Sequence, residues 1–98
     1  MYKAVFDYNK LGKPITGFIL ITVNYMLPNG EKIKQEQVAQ EIKKLEGVEE
    51  VNIMTGVTDI LIKLRVSGIE ELNDFVIRKL RNINGVDKTQ TMIVLNKY

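Results

Sequence analysis

Four stretches of strand character and two of helical period alternate in the order strand, helix, strand, strand, helix, strand, which predicts an α+β fold. Three observations carry the prediction. Val48 to Met54 and Ile60 to Val66 are β-rich runs joined by the short polar stretch Thr55-Gly56-Val57-Thr58-Asp59, and together they read as a central hairpin. Leu45-Glu46-Gly47-Val48-Glu49 is echoed by Ile83-Asn84-Gly85-Val86-Asp87, as though one helix-to-strand joint were used twice. Right-handed crossovers then place both helices on one face of a four-stranded antiparallel sheet, the ferredoxin-like βαββαβ pattern.

Taken in order, Tyr2 to Phe6 is a short alternating run that reads as an outlying strand, followed by a polar connector ending in Gly12-Lys13-Pro14. Ile15 to Asn24 reads as a strand with apolar residues on both parities: Ile15, Ile19, Ile21 and Val23 on one, Phe18 and Leu20 on the other. Leu27-Pro28-Asn29-Gly30 is a turn. From about Lys32 the period becomes helical, with Val38, Ile42 and Leu45 on one stripe and Gly47 as the terminating cap.

The loop between the hairpin strands is longer than a two-residue turn. It holds a glycine that can take positive φ, two threonines and a carboxylate, which is more chemistry than reversing the chain demands. Satisfying turn amides is the ordinary use of such residues. Beyond the hairpin, Ser67-Gly68-Ile69-Glu70 matches a capping box, and Ile69, Leu72, Val76, Leu80 and Ile83 form the stripe of a second helix ended by Gly85. The last strand runs from Val86 to Leu95, with Thr89, Thr91, Ile93 and Leu95 on one parity and Gln90, Met92 and Val94 on the other.

Two helices cover one side of the sheet, yet three of the strands supply apolar residues to both. Leaving several such side chains wet would forfeit roughly 1.5 to 3 kcal/mol each. A second copy packed sheet to sheet would cover them, as would the N-terminal strand crossing over.

The 98 residues make one domain with room for a single modest core. At 45% hydrophobic and 27% charged the composition is that of a globular protein, and no run approaches the roughly 20 apolar residues of a membrane span. The start MYKAVFDYNK lacks the apolar stretch of a signal peptide, so a cytoplasmic chain is expected. There is no cysteine and no histidine, which removes thiolate nucleophiles, imidazole bases and most transition-metal sites. The net charge of +2 arises from interspersed signs, the mark of a solvated surface more than of a nucleic-acid footprint.

The residues around these joints resemble the effector-binding domain of the Lrp/AsnC family, often called the RAM domain. The resemblance rests on Leu45-Glu46-Gly47-Val48-Glu49-Glu50-Val51, on Thr55-Gly56-Val57-Thr58-Asp59-Ile60-Leu61, and on the run from Gly85 to Leu95, in that order and spacing. Tyr2 to Asp7 and Lys10-Leu11-Gly12 look like the linker strand that joins an N-terminal winged helix-turn-helix to this domain in full-length members. The division it implies is a linker strand and connector over residues 1–14 and a ligand-binding domain over 15–98. With no helix-turn-helix in the sequence, direct DNA binding by this chain is not expected.

The resemblance further implies a transcription regulator's sensing domain that dimerises through its sheets, assembles into a ring of dimers such as an octamer, and binds an amino acid between dimers. The site residues it implies are Gly56 and Val57 through their backbone amides, and Thr58, Asp59, Asp87, Thr89 and Thr91 through their side chains. Thr58 and Asp87 stand at positions that vary in the family. The chemistry suits a zwitterion, with amides and hydroxyls for the carboxylate and Asp59 or Asp87 for the ammonium. No cofactor, metal or membrane partner is called for. Full-length Lrp/AsnC regulators are further candidate partners, and an oligomerisation platform that binds no ligand is the alternative role.

Other classes fit less well. Asp59 beside Lys63, or Asp87 beside Lys88, can be drawn as acid and base, but any charged surface offers such pairs, so no enzyme is expected. An acylphosphatase would carry an arginine-bearing phosphate loop after its first strand, where this chain has Asn24 to Gly30 without arginine. An RNA-recognition module would present aromatics on its middle strands, where this chain places Ile60, Leu61, Ile62 and Leu64.

Overall fold

A computed structural model describes residues 12–98. The expected N-terminal strand, Tyr2 to Phe6, lies outside the described residues. The elements are β1 (Ile15–Val23), α1 (Gln35–Lys43), β2 (Val48–Ile53), β3 (Ile60–Val66), α2 (Ile69–Asp74) and β4 (Val86–Ile93). The four strands form one antiparallel sheet in the order β2-β3-β1-β4, which is the ferredoxin-like arrangement read from the sequence.

The sheet's helix-covered face is built from one parity of each central strand. Ile19, Ile21, Ile60, Ile62 and Leu64 have no exposed surface, and with Val38 and Ile42 of α1 and Leu72, Phe75 and Leu80 they make the core. Directly opposed residues of adjacent strands share a face, so the pairs Ile19 with Ile62 and Ile19 with Thr91 assign β3 and β4 their inward parity. On the open face stand Phe18 and Leu20 of β1, Leu61, Lys63 and Arg65 of β3, and Gln90 and Met92 of β4. This revises the comparison with RNA-binding modules, because Ile60, Ile62 and Leu64 face the helices and an aromatic, Phe18, stands on the open face. Two cations stand there too, and both are held by a bulge in β2: Arg65 Nε lies 2.8 Å from Glu49, and Lys63 Nζ 3.8 Å from the same carboxylate.

The helices depart from expectation in their details. α1 starts at Gln35, where the Gln37 amide oxygen accepts the Lys34 N–H at 2.7 Å, and it ends at Lys43, so Gly47 sits in the turn beyond it at φ 92°. α2 is capped by Glu71, not Glu70: its carboxylate accepts the Ser67 backbone N–H at 2.7 Å and the Ser67 hydroxyl as well. After Asp74 the helix widens into a π turn, Phe75–Lys79, and tightens into a 3-10 turn, Leu80–Asn82. The Leu80 N–H reaches back to the Phe75 carbonyl, so two residues five apart share the buried face. The stripe read from the sequence omits Phe75, which lies three residues beyond Leu72 on the same buried face, and it credits Ile69, which is 57% exposed.

Candidate functional site

The loop from Thr55 to Asp59 is fixed by hydrogen bonds at its base. The Met54 N–H donates to the Asp59 carbonyl at 2.8 Å, and Gly56 turns the tip at φ 102°. The Asp59 N–H donates to the Ile21 carbonyl at 2.9 Å, and the Gln35 side-chain amide, at the start of α1, donates to the Asp59 carbonyl at 2.6 Å. The hairpin tip is thereby tied to β1 and to α1.

Two polar side chains of this loop serve the fold. Asp59 Oδ2 accepts the backbone N–H of Val23 at 2.8 Å, and Oδ1 accepts the Tyr25 hydroxyl at 3.1 Å. Desolvation, and then the neighbouring Asp59 carboxylate, raise the Tyr25 phenol above its ordinary pKa. The Thr58 hydroxyl is buried, with the Ile21 carbonyl at 3.0 Å and the Ile60 carbonyl at 3.3 Å, so its single proton is committed to backbone. Val57, between them and the glycine, is 95% exposed.

The loop and the start of β4 meet on the open face. Leu20, Thr22, Val57, Thr58, Lys88, Thr89 and Gln90 line a notch of about 480 Å³ at the end of the sheet. Along one side of it the Lys88 N–H donates to the Thr22 hydroxyl at 3.0 Å, joining the start of β4 to the end of β1. Sequence reasoning placed Val57, Thr58 and Thr89 among the site residues, and the structure brings these three together. It overlooked Leu20, Thr22, Lys88 and Gln90. Period two was the available signal, because Lys88 and Gln90 share the parity opposite to Thr89 and Thr91.

The remaining residues named from the sequence lie elsewhere within the protomer. Gly56 is at the loop tip in open space. Asp87 lines a separate, shallower notch with Val23, Asn24, Tyr25, Met26 and Lys32. Thr91 pairs with the inward-facing Ile19 and borders a groove under α2 with Leu72, Asn73 and Val76. Among the described residues, no group of acidic side chains is placed to hold a metal ion, and no helix is long and apolar enough to cross a membrane.

Residues 16–98 match the model of the Lrp/AsnC ligand binding domain. An HTH-type transcriptional regulator of Pyrococcus abyssi is 46% identical over 87 residues, a segment that covers 89% of this chain and 55% of the regulator. The chain therefore spans about half the length of the curated relatives it matches. A transcriptional regulator from Neisseria meningitidis, solved as an L-Met complex, superposes with a TM-score of 0.83 at 23% identity, covering 99% of this chain and 60% of that one. A Thermus thermophilus structure matches 86% of this chain and 96% of its own, with a TM-score of 0.72 and 30% identity.

Proposed function

The chain belongs to the Lrp/AsnC family as its ligand-binding domain, and from that premise we propose that it senses a small metabolite of the amino acid type in the notch between the Thr55 to Asp59 loop and the start of β4. The observation that carries this reading is that the loop and the start of β4 line one notch beside the end of β1, the loop bonded to Ile21 and Val23 and the Lys88 N–H to Thr22. Backbone amides at the exposed tip, Gly56 and Val57, are free to face a neighbouring subunit, and Thr22, Lys88 and Gln90 supply polar groups below them. The matched family model is a ligand binding domain and the matched relatives are HTH-type transcriptional regulators, which supports a regulatory role over an enzymatic one.

The proposed assembly follows from the open face. Phe18, Leu20 and Leu61 are half-buried and Met92 is 44% exposed, an apolar strip across three strands with the Glu49 ion pairs at its β2 side. A second copy packed sheet to sheet would bury that strip, and the notch, at the end of the same face, would then lie at the rim of the dimer where a further dimer can close it. In that arrangement ligand binding and ring formation strengthen each other.

A thermal-shift screen of the twenty amino acids at millimolar concentration tests the reading. A ligand at about 100 times its Kd stabilises the folded form by about 2.7 kcal/mol. Stabilisation by one chemical group of amino acids is the expected result. A melting temperature that none of them moves, under conditions where the oligomer forms, would favour the alternative of an assembly platform.

A further inference from the structure

We propose that Glu49 is the residue that lets the open face be covered: by closing Arg65 and Lys63 into ion pairs within the protomer, it leaves a neutral border beside the apolar strip, onto which a second copy of this chain packs. The inference rests on the sheet-to-sheet assembly proposed above and deepens it by naming the contact that permits it.

Two cations stand on a face that otherwise favours burial. Lys63 lies directly opposite Phe18 on the neighbouring strand and Arg65 opposite Thr16, so both border the strip of Phe18, Leu20, Leu61 and Met92. A sheet laid over that strip would take them out of water, and an uncompensated charge there would oppose association. The bulge in β2 answers this. Val48 pairs with Leu64 and Glu50 with Lys63, so Glu49 is the extra residue between them. Its carboxylate spans both cations, Oε1 at 2.8 Å from Arg65 Nε and Oε2 at 3.8 Å from Lys63 Nζ, while Glu50 adds a 3.9 Å contact to Lys63.

These pairs are not solvated as ordinary surface pairs are. The Arg65 and Glu49 side chains are 17% and 26% exposed, against 78% and 50% for Arg78 and Asp74. Arg65 Nε is buried even in the single protomer. An exposed pair contributes little to any equilibrium, whereas a pair largely out of water is costly to break. Lys63 and Arg65 against Glu49 and Glu50 leave the border neutral, so the occupant that fits is itself apolar and neutral where the two meet. A second copy brings such a face.

Sedimentation equilibrium of the intact chain over a dilution series tests this with three variants, the fold of each checked by circular dichroism. Glu49→Gln keeps the size of the side chain and removes its charge, and the dimer dissociation constant should rise by about tenfold or more. Glu50→Gln, at a side chain that is 57% exposed, should stay within about threefold of the wild type. Glu49→Gln/Arg65→Met removes both charges and leaves Lys63 paired with Glu50, so its dimer should return to within about threefold of the wild type or be tighter. Glu49→Gln associating as tightly as the wild type would overturn the inference and leave the assembly standing. So would a double variant that stays as weak as Glu49→Gln, or a Glu50→Gln dimer equally weak, which would assign the effect to net charge. If Glu49→Gln does not fold, the double variant decides alone: dimerisation at wild-type strength supports the inference and its loss overturns it. A wild-type chain that stays monomeric at every concentration, as it would if its own residues 1–11 covered the strip, would remove the assembly and the inference together.

Discussion

The side chain of Asp59 reaches from the hairpin tip to the end of β1, where its Oδ2 lies 2.8 Å from the backbone nitrogen of Val23. The pairing of β1 with β3 ends at Ile21 opposite Ile60, so the Val23 N–H has no partner in that ladder and the carboxylate acts as a cap on the strand. Asp59→Ala should destabilise the chain by about 1 to 3 kcal/mol, since it leaves a partly buried donor unpaired. Chemical denaturation checks this, and a midpoint unchanged from wild type would show that water replaces the carboxylate without cost. A loss of ligand binding in this variant therefore does not by itself make Asp59 a ligand contact.

Two glycines of positive φ should respond very differently to alanine. At Gly85 a Cβ would lie 2.8 Å from Val38 Cγ2 and 3.2 Å from Ile33 Cγ2, inside the core, on top of the backbone strain at φ 95°. Gly85→Ala should cost about 2 to 5 kcal/mol. At Gly56 nothing lies within 4 Å, so Gly56→Ala should cost only the strain, about 1 to 3 kcal/mol. Urea melts of the two variants compare them directly, and a larger loss at Gly56 would contradict the packing.

Glu71 is held down at about 2 by its bonds from the Ser67 hydroxyl and N–H, with a smaller contribution from Lys13 at 3.2 Å. Because its folded pKa is lowered, the stabilisation is complete above the ordinary value near 4.5 and is lost as the pH falls from there toward 2. The melting temperature of Glu71→Gln should lie below that of the wild type at neutral pH and converge with it near the bottom of this window. A gap that stays constant down to pH 2 would contradict the cap.

The open face should carry the association. Phe18 stands opposite Met92 at the middle of that face and away from the residues lining the notch. Met92→Asp, opposite Phe18 and with no cation in register beside it, would place an unpaired charge inside a sheet-to-sheet interface, at a cost of about 3 to 5 kcal/mol. Light scattering should show a dimer or larger even assembly for the wild type and a monomer, or an unfolded chain, for the variant. An unmutated chain that stays monomeric would contradict the proposed packing.

Most of the fold was legible in the sequence because its elements announce themselves locally. The third strand runs from Ile60 to Val66 as read, and Gly85 has the positive φ expected where a helix hands over to a strand. What escaped depended on contacts between elements. Phe75, three residues beyond Leu72, is buried beside it where the helix widens into a π turn. The Asp59 carboxylate bonds to Val23 and Tyr25, a pairing set by where β1 ends beside the loop. The candidate site was only half legible for a geometric reason. Consecutive strand residues face opposite ways, so the segment from Asp87 to Thr91 divides between the notch and the far side of the sheet.

The proposed ligand site lies between the hairpin loop and the start of β4. Hydrogen–deuterium exchange measured with and without a saturating amino acid tests it most directly. Added protection is expected in the peptides covering Met54 to Ile60, Val86 to Gln90 and the end of β1 near Thr22, with the α2 helix unchanged. Protection confined to the groove under α2, around Asn73, Val76 and Thr91, would place the ligand on the other face and contradict it.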